Sequence, residues 1–222
     1  MAALKVLTRN VGETAVVVGF VDLNTKRTGK SLQNAVALLH RGKIVAKRAK
    51  SLLPTYDVFD EGRYFAPAAQ NNVIPFKGKK LGLTICEDAW NDKEFWPKPL
   101  YPFDPVARQA RQGADLLLNI SSSPFHRGKT RVRLKMLQSH ARKAKAPFFY
   151  CNLVGGDDEL IFDGNSLVLD GLGHLLARGR AFEEDLLLVD LDNPPSAVWF
   201  EGSDIEQVYQ ALLVGIRDYT RK

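Results

Sequence analysis

Between Lys79 and Leu153 the sequence alternates short apolar runs with stretches of helical spacing, and this alternation narrows the folds open to the chain. Residues 79–86, 115–120 and 147–153 are continuous apolar runs of strand length. Between them, Pro105 to Gly113 reads as a short helix with a glycine stop. Pro124 opens a second, basic helix, with Ser123 as its N-cap. Ahead of this block lie strands at 15–22, 34–40 and 43–49, the last two joined by a tight hairpin at Arg41-Gly42. Behind it come a hairpin of 164–170 with 174–179 around Gly171-Leu-Gly173, a strand at 185–191 and an amphipathic helix from Asp204 to Lys222. Hairpins, then strand–helix alternation, then strands again imply a mixed sheet covered by helices, an α/β (α+β layered) fold.

The 222 residues suffice for one domain with a sizeable core. A boundary is expected at 193–203, around Pro194 and Pro195, dividing a body of 1–203 from the helix of 204–222. No run approaches the roughly 18 apolar residues of a membrane span, and no leader pattern opens the chain, so no membrane partner is expected. Cys86 and Cys151 cannot form a disulfide framework or a metal site with the four histidines; a reducing cytoplasm is expected and no metal. Net charge is +6, but the excess concentrates between His126 and Lys145, where Leu134, Leu137 and Ala141 recur at helical spacing. That stretch reads as a solvated helix face rather than a nucleic-acid site. A basic-helix nucleic-acid binder is the competing class, separable by a salt titration of binding.

Residues 51–72, rich in Pro, Tyr, Phe and Asp without any period, read as a long ordered loop, which in compact domains is commonly functional. Cys86 stands where a buried strand ends, followed by Glu87, Asp88 and Trp90. A sharp break there can hold a thiol at a sheet edge, beside backbone N–H groups that stabilise an oxyanion. The plain alternative is a small core residue, since free cysteine is often buried. Cys151, inside Pro-Phe-Phe-Tyr-Cys-Asn-Leu, is read as core packing. A Cys–His pair drawing on His40, His126, His140 or His174 has no spacing that singles it out.

Several segments together resemble one family. Lys50-Ser-Leu-Leu-Pro54 is similar to the lysine motif of the nitrilase superfamily of carbon–nitrogen hydrolases, and Ile85-Cys-Glu-Asp88 to its nucleophile turn. The strings Leu53 to Phe65, Ser122 to Lys129 and Asn152 to Gly156 resemble more narrowly the glutaminase domains of glutamine-dependent NAD synthetases. The resemblance implies a nitrilase-like αββα sandwich with mixed sheets. It implies hydrolysis of the glutamine side-chain amide through a cysteine thioester, with the ammonia passed to a synthetase domain in the same chain. On this sequence it makes Cys86 the nucleophile, Lys50 the oxyanion-stabilising cation and Glu61 the carboxylate holding that lysine. Tyr56, Ser123 and Lys129 match glutamine-binding positions, and Glu87 can receive the α-ammonium of glutamine. An ammonium near a thiol favours the thiolate and later neutralises charge on oxygen.

The same resemblance implies a general-base glutamate upstream of the lysine motif. The segment from Ala15 matches a later strand of the family, so that glutamate is expected before Met1; Glu13 precedes the wrong strand. The first strands and first helix are expected to be missing, and the last helix to lead toward a synthetase domain, with its ATP and Mg, that this sequence does not contain. A chain truncated at both ends is the expectation, with impaired hydrolysis and a tendency to form homo-oligomers. The alternatives are a non-catalytic nitrilase-like remnant with a binding or regulatory role, and an amidase acting on another small amide.

Overall fold

The computed structural model describes residues 2–26, 28–198 and 202–221. It forms two compact units, residues 1–113 and 114–222. The first begins with helix α1, Ala2–Asn10. The residue pattern announces no helix in this stretch. Leu4, Val11, Ala37 and Leu39 form a buried cluster against which Val16, Val18 and Phe20 pack. Only Leu4 and Thr8 of the nine helical residues are buried, so the apolar stripe is too thin to be recognised in the sequence.

Strands β1 (Val16–Leu23), β2 (Leu32–His40) and β3 (Lys43–Ala49) make an antiparallel meander with β2 central. The β2–β3 turn is the expected one: Arg41 and Gly42 both have positive φ (46° and 69°), as a two-residue turn matching strand twist requires. Their N–H groups donate to the carbonyls of Gly12 and Val11, and the Arg41 guanidinium pairs with Glu13 at the exposed surface. The loop of 51–72 is ordered and holds one helical turn, α2 (Glu61–Tyr64). It is tied back by the bonds Ala66 N–H to Leu32 O and Ala68 N–H to Lys50 O, both 2.8 Å. Next, β4 (Ile74–Phe76) and β5 (Lys79–Ile85) form a hairpin, and β5 is buried continuously from Leu81 to Ile85. Helix α3 (Pro105–Arg111) starts with Asp104 accepting from the Ala107 N–H, and its buried Gln109 donates to Leu83 O on β5.

In the second unit, β6 (Leu116–Ser121) runs parallel to β7 (Phe148–Asn152), with α4 (Lys129–Ala144) as the crossover. Antiparallel strands β10 (Leu167–Leu169) and β11 (Leu175–Arg178) extend this sheet beyond β7. A separate hairpin, β8 (Val154–Asp157) with β9 (Leu160–Asp163), carries helix α5 (Asp204–Arg221). Here Phe182, Ala211 and Val214 are buried, with Phe125 and Ile161 against them.

Three expectations fail in this unit. The basic helix starts at Lys129, not Pro124, because Pro124 bridges Phe162 and the Phe125 N–H is bound by Ile161 O; the left-handed Gly128 precedes the helix. Residues 185–191 form no strand. No β-ladder engages them; instead the carboxylates of Asp185 and Asp190 take the N–H groups of Leu186 and Asp192. Cys151 is exposed rather than core: side chains alternate along β7, and burial falls on Phe148, Tyr150 and Asn152. The basic face of α4 is solvated at Arg131, Lys135, Arg142 and Lys143, but Arg133 is buried.

Candidate active site

In the first unit the continuously buried β5 delivers Cys86 to its end, and the chain breaks there into one 3₁₀ turn, Cys86–Ala89. The Cys86 φ is +41°, a left-handed conformation that costs a non-glycine residue about 1–2 kcal/mol. Strained residues of this kind cluster at functional sites. The turn is held by Asp88, which is fully buried. Its Oδ2 accepts the Ile85 N–H (3.1 Å), and its Oδ1 accepts those of Ser51 and Leu52 (both 2.9 Å). One carboxylate thus fastens the residues after Lys50 to the turn that carries Cys86. Burial outweighs these bonds and pushes the Asp88 carboxyl up to about 6.

Lys50 is itself 1% exposed. Its backbone is fixed between Asn34 O and Ala68 N–H, and its ammonium is bound by Glu61 Oε1. The other Glu61 oxygen receives the Asn34 side chain (3.3 Å). Glu61 uses one of the three N–H bonds of the ammonium, so the buried cation keeps donors for a further anion. Glu87 is buried too. Its Oε1 accepts the hydroxyls of Tyr56 (2.8 Å) and Tyr101 (3.1 Å). Burial raises its carboxyl above the usual range; the two phenols and Lys50 pull the other way. Both phenols are held protonated, by burial first and then by the adjoining Glu87 charge.

The structure therefore brings Cys86, Lys50, Glu61, Glu87 and Tyr56 into the first unit as linked groups, with Lys50 acting electrostatically on both Glu87 and Asp88. Sequence reasoning missed two members. Asp88 was visible only as part of a motif. Tyr101 lies in a Pro-rich segment without periodicity, and Asn91 places it by binding its N–H and C=O (3.1 and 2.9 Å). His40, the single histidine of this unit, packs edge-on against Phe76.

Ser123 and Lys129 belong to the second unit. Ser123 is not an N-cap: it is buried after β6, its N–H donates to Asn152 (2.9 Å), and its Oγ accepts from Arg133 (3.4 Å). Lys129 opens α4 and reaches Pro124 O (3.1 Å). Behind Ser123, Arg133 makes a two-bond ion pair with Asp163, both 1% exposed, and Asn152 and Asn165 complete the network.

A strained cysteine after a buried strand, with a buried lysine and glutamate, has the ingredients of amide hydrolysis. Residues 1–195 match the family model described as carbon-nitrogen hydrolase. The chain belongs to the carbon–nitrogen hydrolase family. Among its relatives, a glutamine-dependent NAD(+) synthetase of Synechocystis is 39% identical over 94% of this chain. Another from Thermotoga maritima is 34% identical over 97%. The chain spans only 39% and 41% of the lengths of these two proteins. The glutamine-dependent NAD+ synthetase structure from Acinetobacter baumannii superposes with a TM-score of 0.85 and 30% identity, over all of this chain and 40% of that one. An amidase from Nesterenkonia shares the fold, at a TM-score of 0.65 and 23% identity, over 81% of this chain and 61% of that one. This carbon–nitrogen hydrolase therefore has the mixed α/β fold expected from its strand–helix alternation.

Proposed function

We propose that this chain is a glutamine amidohydrolase unit, the ammonia-supplying part of a glutamine-dependent NAD synthetase, with Cys86 as nucleophile. The observation that carries the reading is the left-handed Cys86 turn fastened by Asp88 to the segment that holds the buried Lys50 and its half-buried partner Glu61. In the proposed reaction the Cys86 sulfur attacks the side-chain amide carbon of glutamine. A C–S bond forms, and the carbonyl electrons move to oxygen, where the Lys50 ammonium stabilises them. The C–N bond then breaks, the nitrogen takes the proton given up by the Cys86 thiol, and ammonia departs to leave a glutamyl thioester. Water cleaves the thioester to glutamate and restores the thiol.

Glu87 suits the α-ammonium of glutamine, because Tyr56 and Tyr101 fix its carboxylate and occupy one of its two oxygens. Glu61 is engaged by Lys50, and one oxygen of Glu87 by the two phenols. Such engagement weakens either group as a proton shuttle, so we expect turnover by this chain about 10²–10⁴-fold below that of a hydrolase with a dedicated general base. This engagement also supports the second reading, a nitrilase-like unit that binds glutamine without hydrolysing it.

The test is a glutamine-shaped diazoketone followed by peptide mapping. A competent pocket gives a label on Cys86 that glutamine competes away and that Cys86→Ala abolishes. Absence of that label in folded protein, or labelling confined to the exposed Cys151, defeats the catalytic reading. Glutamate release at the rate of a full-length relative would refute the impairment.

A further inference from the structure

Residues 90–104, between the Cys86 turn and α3, form no helix or strand. Pro97, Pro99 and Pro102 remove N–H groups from the stretch, so a backbone ladder cannot order it. Side chains do so instead. Asn91, 1% exposed, donates to the carbonyls of Tyr101 and Phe103 (2.9 and 2.7 Å) and accepts the Tyr101 N–H (3.1 Å). The buried Asp92 accepts the N–H groups of Glu94 and Phe95 (2.9 and 3.2 Å), and the Lys93 ammonium is bound by Pro102 O. One buried amide thus holds Tyr101 at both its N–H and its C=O. From that position the Tyr101 hydroxyl reaches Glu87.

Tyr56 and Tyr101 both donate to Oε1 of Glu87, and among the described residues no bond falls on Oε2. A phenol favours a carboxylate without neutralising it, as an arginine would. Around Glu87, the two phenols and Lys50 favour the charged form, while burial and Glu61 oppose it. The Lys50 ammonium is itself bound by Glu61. Glu87 is therefore a buried anion held largely by neutral donors, with one oxygen left to accept from a ligand. We propose that Tyr101 is a specificity-determining residue: clamped by Asn91, it holds the Glu87 carboxylate ready for an α-ammonium and makes the site prefer an amino-acid amide to a simple amide of the same length. The inference rests on Glu87 as the receiver of the α-ammonium. A ligand without that group covers the carboxylate and leaves it unpaired, which costs binding. Tyr101 acts through Glu87 and is in that sense a positioning residue.

The test compares two chloroketones that alkylate Cys86. One is shaped like glutamine, with its α-ammonium and α-carboxylate; the other is identical but lacks the amino group. The ratio of their alkylation rates cancels the reactivity of the thiol and reads only the response to the ammonium. The wild type should favour the amino reagent. Tyr101→Phe keeps the ring and the backbone clamp but removes the hydroxyl, and should cut that preference about 10-fold near pH 7. Without this donor the Glu87 carboxyl titrates at higher pH, so the pH below which the preference fades should move upward in the variant. Glu87→Gln should abolish the preference at every pH. A wild-type preference that Tyr101→Phe leaves intact overturns the role of Tyr101 alone. Equal slowing of both reagents by Tyr101→Phe marks a merely structural residue and overturns it too. If Cys86 takes neither reagent, or takes both equally in the wild type, the reading of Glu87 fails and this inference falls with it.

Discussion

The buried ammonium of Lys50 is stable only because a counter-charge reaches it. Glu61 supplies that charge from a loop, and Asn34 holds Glu61 in turn. Removing one partner of a buried pair costs more than removing both, since the remaining charge is stranded. Glu61→Gln should therefore destabilise the chain by about 2–3 kcal/mol, while Lys50→Met combined with Glu61→Gln should cost less than Glu61→Gln alone. Urea denaturation of the wild type, the single variants and the double variant closes the cycle. A double variant weaker than Glu61→Gln would show that the pair is not the source of the penalty. Asp88 makes a separate prediction. Its folded carboxyl titrates near 6 against an ordinary 3.8, so the folded chain holds more protons than the unfolded chain between those values. This group's contribution to stability therefore falls as pH rises from about 4 to about 6, by about 3 kcal/mol at most. Asp88→Asn cannot titrate. The stability of the wild type relative to that variant should decline across this window and level off above it. A relative stability that is flat or rising from pH 4 to 7 in thermal melts would contradict this. Lys50 and Cys86 stand out in the sequence as candidates because each sits in a short motif. The bond network of Asp88 does not, because its partners are 36 and 37 residues away.

Elements decided by neighbours in the chain were legible; those decided by distant partners were not. The turn at Arg41-Gly42 needs only two residues that accept positive φ, and it forms as expected. The start of α4 is set instead by the Pro124–Phe162 bridge, which no local pattern announces. Residues 185–191 have the composition of a strand, yet a strand needs a ladder partner and none engages this one. Tertiary restraint also acts at the β10–β11 turn. A Cβ on Gly171 would lie 2.8 Å from the Lys145 carbonyl carbon and 3.0 Å from the Ala146 nitrogen, backbone atoms that cannot step aside. The turn and the end of α4 are therefore packed directly together. Gly171→Ala should cost about 1–3 kcal/mol and lower the Tm by several degrees. Gly12→Ala, where nothing lies within 4 Å, should leave the melting curve nearly unchanged. Equal melting points for the two variants would refute the close packing.

The carbon–nitrogen hydrolase fold fixes most of this chain, but its hold is uneven along the second unit. Between Phe182 and Val198 no helix or strand is formed, and Leu186, Leu188 and Val198 stand more than four-fifths exposed. The ends of this stretch are nonetheless anchored. Phe182 is buried with Ala211 and Val214, and Ala197 N–H bonds to Leu175 O (3.1 Å). Exposed segments with few backbone bonds open at little free-energy cost and are cut first by proteases. A chymotrypsin-like protease at low dose should therefore cleave near Leu186–Leu188 before any site in β5, β6 or β7. Because α5 keeps its apolar contacts with Ile161 and Phe182 and its bond from Gly156, the nicked protein should elute as one species in gel filtration. It should separate into two fragments only on denaturation. Release of the α5 fragment without denaturant would mean that the Ala211–Val214 face contributes too little to hold the helix on the hairpin.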